Sequence, residues 1–227
     1  MGVLSDIAAL ETPPTTLSEH QGKMLLAEYG IPVTHEVLTT DVTDAVEAAG
    51  TIGYPVVLKG SSANLTHKTE ANVVRIDLRS KNDVVEAYRE IQEAARGELD
   101  GILVQEMVPG QRLLAVGLVR DDQFGPCVMF GLGGIYTEIL ADAVFRIAPI
   151  SRTEALTQME EIRGAAILGP ARGAAPADRE TVADILVAMG SIGLEHENVS
   201  AVDVNPLILR DDGSPVAVDA AVWLAPD

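Results

Sequence analysis

The sequence predicts a mixed α/β or α+β protein arranged as two lobes, and three observations carry that reading. Short runs rich in Val, Ile and Leu alternate with longer stretches whose apolar residues recur at helical spacing. With 227 residues, 47% of them hydrophobic, the chain can bury a substantial core. Near the middle, Val108-Pro109-Gly110 breaks the pattern with a turn signal able to separate two lobes. The expected division is an N-terminal arm over 1–16, a first lobe over 17–108 and a second over 109–227.

The arm is expected because Thr12-Pro13-Pro14-Thr15-Thr16 sits in a stretch with no sustained period. A helix is predicted next: Ser18 and Gln21 have capping-box spacing, Met24, Leu25 and Tyr29 recur at helical intervals, and Gly30 stops it before Ile31-Pro32. Asp41 to Ile52 predicts a second helix, Val56 to Leu58 a buried strand, Val73 to Leu78 its neighbour, and Ser80 to Arg96 a helix closed by Gly97. Ile102 to Met107 is another buried-strand pattern.

In the second lobe, strands are predicted near Leu113 to Val119, Cys127 to Phe130 and Phe145 to Ala148, with helices over Arg152 to Arg163 and Asp178 to Ile192. The stretch from Gly164 to Ala177 reads as a loop. Ser200 to Val204 and Leu207 to Leu209 predict two further strands, and the Asp211-Asp212-Gly213 turn leads into a last one over Val216 to Val218.

Thirty-four acidic residues against sixteen basic ones give a formal charge of −18, which disfavours nucleic acid and anionic membrane as partners. The acids are scattered, as on a halophilic surface whose self-repulsion is screened by salt; ordinary acidic solubility is the alternative. No apolar run reaches the roughly 20 residues that span a bilayer, and the N-terminus lacks a signal-peptide pattern, so the cytoplasm is the expected compartment. The single cysteine, Cys127, excludes an intramolecular disulfide and is expected as a buried core thiol.

Chemistry concentrates in three places. Lys59 ends an apolar strand and opens a small polar loop, Gly60-Ser61-Ser62-Ala63-Asn64-Leu65-Thr66-His67-Lys68-Thr69-Glu70. One lysine beside backbone N–H groups can hold nucleotide phosphates. The plainer alternative is an edge lysine in solvent. In the same loop, neutral His67 can attack phosphorus and release it again, with Lys68 holding the transferred group and Glu70 fixing the tautomer. His20 and His196 read as surface residues.

The second place is Asp203-Val204-Asn205-Pro206 with Asp219: alternation sets Asp203 and Asn205 on one face, where Asp219 on a returning strand can meet them. Three such oxygens suit Mg²⁺ completed by phosphates; a capped turn with surface acids is the alternative. The third is Gly131-Leu132-Gly133-Gly134, followed by Glu138 and Arg146, where Arg146 either steadies a phosphate or pairs with Glu138.

The ordered blocks Ile52-Gly53-Tyr54-Pro55-Val56-Val57-Leu58-Lys59, His67-Lys68-Thr69, Val104-Gln105-Glu106-Met107-Val108, Gln123-Phe124-Gly125-Pro126, Met129-Phe130-Gly131-Leu132-Gly133-Gly134, Phe145-Arg146-Ile147-Ala148-Pro149, Arg172-Gly173 with Asp178, and Asp203-Val204-Asn205-Pro206 resemble a known family. It is the ATP-grasp domain of the ADP-forming acyl-CoA synthetases, close to the separate nucleotide-binding β subunit of the acetate–CoA ligases. The resemblance runs from Leu17 to Leu224.

It implies an ATP-grasp fold, two lobes with a nucleotide cleft between them. It also implies that Lys59 contacts phosphate, that Gln105, Glu106, Met107 and Val108 line the adenine hinge, and that Asn205 and Asp219, with Asp203, hold Mg²⁺. His67 becomes a phosphohistidine that carries phosphate from a CoA-binding α subunit to ADP. Two positions depart from the family: Leu113 follows Arg112 where an acid is usual, and Thr69-Glu70-Ala71-Asn72-Val73 follows the His-Lys pair. A non-catalytic or regulatory subunit keeping the fold and the partner surface is the alternative.

Overall fold

The computed structural model describes residues 2–8, 15–62, 73–95 and 99–225, the side chains of Ala8 and Glu138 excepted. His67, Lys68 and Glu70 lie outside the described residues. The chain divides into two compact units, one of Met1–Leu17, Gln21–Val33 and Pro109–Asp227, the other of Ser18–His20 and Thr34–Val108. The break at Val108/Pro109 falls in the turn signal, but residues 21–33 cluster with 109–227 and not with the lobe over 17–108 in which sequence order would place them.

Two short helices begin the chain, α1 (Val3–Ala8) and α2 (Glu19–Glu28). Helix α1 corrects the expected arm: Val3, Leu4 and Ile7 are buried in the core of the larger unit. Six residues are too few for a helical period to register in sequence. The extended residues before α2 are paired as well, Leu17 N donating to Val222 O and Leu224 N to Thr15 O.

In the smaller unit the chain runs β1 (Glu36–Thr39), α3 (Val42–Ile52), β2 (Val56–Ser61), β3 (Val74–Leu78), α4 (Lys81–Ala95) and β4 (Gly101–Glu106). The sheet order is β1-β4-β2-β3 and every pairing is antiparallel. Asp41 caps α3, accepting from Thr43 N at 2.7 Å and Asp44 N at 3.0 Å. Alternation on β2 and β4 sends Val56, Leu58, Ile102 and Val104 into a core with Ala45 and Ala49 of α3 and Val84, Ala87 and Ile91 of α4. The helices therefore cover one face of the sheet, and Val57, Lys59 and Ser61 belong to the other.

The larger unit continues with β5 (Arg112–Asp121), β6 (Gly125–Leu132), α5 (Ile135–Leu140), β7 (Ala143–Ile147), α6 (Arg152–Glu161), a 3₁₀ turn over Ala165–Leu168, α7 (Arg179–Glu195), β8 (Val199–Leu209), β9 (Pro215–Ala217) and β10 (Ala221–Leu224). Its sheet has the order β10-β8-β5-β6-β7, with β9 on β8. Val116, Leu118, Val128, Phe130, Val202 and Val204 pack with Met159 of α6 and Ile185, Leu186 and Met189 of α7. Ser151 and Glu154 form a capping box at α6.

Two expected strands prove to be one. Strand β8 runs through Asn205-Pro206, and the pairing steps from Leu114↔Leu207 to Val116↔Val204, so two residues of β8 face the single residue Ala115. Proline has no N–H for a ladder, and a bulge lets the strand pass it. Cys127 is also corrected: Pro126, Val128 and Phe130 take the core face of β6, leaving Cys127 half-buried on the other. Among the described residues no helix is long and apolar enough to cross a membrane.

Candidate functional site

Lys59 is not an edge lysine in solvent. It is 6% exposed, and its Nζ donates to Glu19 Oε1 at 2.7 Å, with Glu19 itself 2% exposed. Buried charges persist when paired, and this pair fixes the ammonium on the sheet face away from α3 and α4. Antiparallel register sets Val57 beside Gln105 and Lys59 beside Leu103, so Lys59 and Gln105 share that face. Ser61, two residues on, is 1% exposed, and among the described residues its Oγ has no hydrogen-bond partner. A buried hydroxyl that nothing among the described residues satisfies, on the face that carries a buried cation, calls for an explanation.

The expected hinge, Gln105 to Val108, leaves the end of β4. Gln105 is 1% exposed and Val108 is buried. Glu106 is tied to His35 by backbone and side chain: its N–H donates to His35 O at 2.9 Å, and its Oε1 accepts from His35 N at 3.0 Å. Met107 N donates to Pro55 O at 3.3 Å. The segment is held in place by the chain around it.

In the larger unit Asp203 and Asp219 come together, though not by the expected route. Asp219 lies beyond the end of β9, in the link to β10, where its Oδ1 accepts from Ala220 N at 2.9 Å. Val218 N donates to Pro206 O at 3.1 Å, which draws that link against the β8 bulge. Asp203 sits opposite Ala221 on one side and Gly117 on the other. Burial, then the charge of Asp219, push the Asp203 carboxyl above the ordinary range.

Asn205 Oδ1 accepts from Gly134 N at 2.8 Å and its Nδ2 donates to Thr137 Oγ1 at 3.3 Å. The glycine cluster thus orients the amide. It has to be glycine here, because Gly133 N donates to Leu113 O at 2.8 Å and a Cβ on Gly133 would lie 2.3 Å from Leu114 O. Gly134 has φ +62, and a Cβ on it would meet Leu113 Cδ1 at 2.6 Å. The unusual Leu113 therefore packs where the glycine turn passes.

The oxygens fit a divalent cation. Two carboxylates, one of them raised by burial and then by the charge of the other, with an amide oxygen that keeps a second lone pair, make a hard donor set that Mg²⁺ would relieve. Among the described residues no group of three His, Cys, Asp or Glu side chains is placed to hold a metal.

Arg146 Nη2 donates to Glu161 Oε1 at 2.5 Å, a partner on α6 that the sequence did not suggest; the side chain of Glu138 lies outside what is described. Neither His20 nor His196 is a bare surface group: His20 Nδ1 is 3.0 Å from Glu36 Oε1, and His196 Nε2 is 2.8 Å from Tyr29 Oη. Sequence reasoning missed Glu19 and Lys23, the latter 1% exposed. The rarity of lysine, which singled out Lys59, applied equally to Lys23, four residues along α2 from Glu19.

A sequence profile described as the ATP-grasp domain matches residues 8–224. The chain belongs to the ATP-grasp family. Within it, acetate–CoA ligase [ADP-forming] I subunit beta of Pyrococcus furiosus is 42% identical over 213 residues, covering 92% of this chain and 91% of that protein. Acetate–CoA ligase [ADP-forming] I of Archaeoglobus fulgidus is 40% identical over 201 residues, 86% of this chain but 29% of that longer protein.

Among solved ATP-grasp structures, dinucleotide forming acetyl-coenzyme A synthetase 1 of Ca. Korarchaeum cryptofilum, with coenzyme A, Ca-AMPCP and HgCl+, superposes with a TM-score of 0.88 at 41% identity, covering 93% of this chain and 94% of that one. The same protein with coenzyme A and Mg-AMPPCP, its phosphohistidine segment pointing towards the nucleotide binding site, gives 0.82 at 40% identity, with 93% of each chain covered.

Proposed function

We propose that this ATP-grasp chain is the nucleotide-binding β subunit of an ADP-forming acid–CoA ligase. The overall reaction is acyl-CoA + ADP + Pi = acid + CoA + ATP, and this chain passes the phosphoryl group from His67 to ADP. The near full-length 42% identity to a β subunit of that activity is the observation that carries the reading. A CoA-binding α subunit is the partner, in keeping with the longer single-chain relative. The cytoplasm is the proposed compartment.

In this reading Lys59 neutralises nucleotide phosphate, Ser61 offers its hydroxyl beside it, and the Gln105–Val108 segment receives the base. Asp203, Asn205 and Asp219 hold Mg²⁺, which would supply positive charge to the phosphate oxygens. His67 attacks phosphorus through a neutral ring nitrogen, its N–P bond forming as the bond to the donor breaks; the ADP β-phosphate oxygen then takes the phosphoryl group and frees the imidazole. Lys68 screens the transferred group. The work of the protein is placement and charge, as in phosphoryl transfer generally.

The test combines the chain with a matching α subunit, acetyl-CoA, phosphate and Mg-ADP, then repeats the assay with His67→Asn. ATP formation is expected to vanish with the substitution. Formation that survives it removes the phosphohistidine role. Leu113 is the one observation favouring a non-catalytic subunit, and absence of nucleotide binding by the unsubstituted chain would decide for that alternative.

A further inference from the structure

The segment Ser18–His20 clusters with the smaller unit, apart from the residues on either side of it. Both of its ionisable side chains engage the sheet face that carries Lys59. Glu19 Oε1 is 2.7 Å from Lys59 Nζ, and His20 Nδ1 is 3.0 Å from Glu36 Oε1. Glu36 is the register partner of Gln105, and Lys59 that of Leu103, so the two contacts fall along the row that holds the proposed nucleotide ligands. The Glu19–Lys59 contact is deeply buried, with side-chain exposures of 1% and 8%.

We propose that Glu19 is the positioning residue for Lys59. A lysine side chain is a flexible four-carbon stem ending in a point charge, and burial alone drives such an amine to lose its proton or to swing out to water. The carboxylate of Glu19 prevents both. It keeps the ammonium charged and fixes it at the end of β2, so that a nucleotide phosphate meets a cation already in place. In this role Glu19 acts through Lys59 and not on the substrate directly. The inference rests on the reading that Lys59 contacts nucleotide phosphate.

The test uses Glu19→Gln, which keeps shape and removes charge, together with Lys59→Met and the double variant. Mg-ADP binding to the chain is measured by calorimetry, and KM and kcat for ADP are measured in the complex with the α subunit. Breaking a buried hydrogen-bonded charge pair is expected to weaken Mg-ADP binding about tenfold or more. KM is expected to rise by the same factor while kcat changes less than about threefold. In the Lys59→Met background Glu19→Gln is expected to add nothing.

Glu19→Asp, which retains the charge on a shorter arm, is expected to recover part of the affinity and covers the case in which Glu19→Gln folds poorly. Unchanged or tighter Mg-ADP binding in folded Glu19→Gln, with Lys59→Met weakened, overturns the role of Glu19 alone. Unchanged binding in Lys59→Met overturns the reading of Lys59 itself, and the two failures are thereby separate.

Discussion

Gly133→Ala tests how the Asn205 amide is held. A Cβ at this position would stand 2.3 Å from Leu114 O and 2.5 Å from Leu114 C, both backbone atoms of a central strand that cannot rotate away. Accommodation requires the turn and β5 to separate. Overpacking of this kind costs about 1–3 kcal/mol. The movement also strains Gly133 N to Leu113 O and Gly134 N to Asn205 Oδ1, each 2.8 Å, and each hydrogen bond is worth about 1 kcal/mol.

The expected loss is therefore about 3–5 kcal/mol, which a urea slope of about 2 kcal/mol/M converts to a midpoint lower by about 2 M. The single tryptophan, Trp223 in β10, reports unfolding of this unit by fluorescence. Gly190→Ala is the control in the same unit. It lies within α7, where a Cβ would make ordinary contacts of 3.5 Å to Ala148 and 3.6 Å to Val128, and the helix gains about 0.5–1 kcal/mol. An unchanged midpoint for Gly133→Ala, or an equal fall for Gly190→Ala, would refute the steric argument.

Asp203→Asn is expected to raise the Tm of the metal-free protein near neutral pH and to abolish stabilisation by Mg²⁺; a lowered Tm would contradict it. Burial and Asp219 raise the folded pKa of this acid, so its charged form costs stability above the unfolded value, and the gain from substitution fades as acid protonates it in both states. Asp142 works in the opposite sense. Burial lifts its carboxyl, but N–H donation from Arg163 at 2.9 Å and Gly164 at 2.7 Å, with the Arg163 guanidinium, outweighs this and holds it below the ordinary range. Its stabilisation is complete above the unfolded pKa of about 4 and is lost as pH falls through the folded one, so Asp142→Asn should flatten the acid limb of a urea midpoint series. An identical slope would discard that account. Gln158, fully buried, donates to Val128 O at 3.1 Å and Val144 O at 2.8 Å, tying β6 to β7. Gln158→Leu should cost about 1–3 kcal/mol, read from the same Trp223 transition.

Much of the fold was legible because local rules and packing agree. Helix α3 begins where Asp41 announces a cap, and β2 and β4 lie where the apolar runs lie. Most of the failures are short elements. Helix α1, β1 and α5 have six, four and six residues, too few for a period to stand out; α1 is held by the burial of Val3, Leu4 and Ile7, and β1 by its pairing with β4. Cys127 was misplaced because an uninterrupted apolar run conceals its alternation.

By itself the sequence determined the family, the alternating elements, and the residues proposed to handle phosphate, Lys59 and His67, and a metal, Asp203, Asn205 and Asp219. Those follow from chemical identity and near-neighbour spacing, which a chain carries in one dimension. Only the tertiary structure decided how those groups are held. It buried Lys59 against Glu19, forty residues away, and brought Asp219 to Asp203 through a link between strands. It also turned Asn205 toward Gly134 through a bulge opposite Ala115. The physical reason is that charge pairing and desolvation depend on distance in space, and no local pattern records which distant carboxylate will meet a given ammonium.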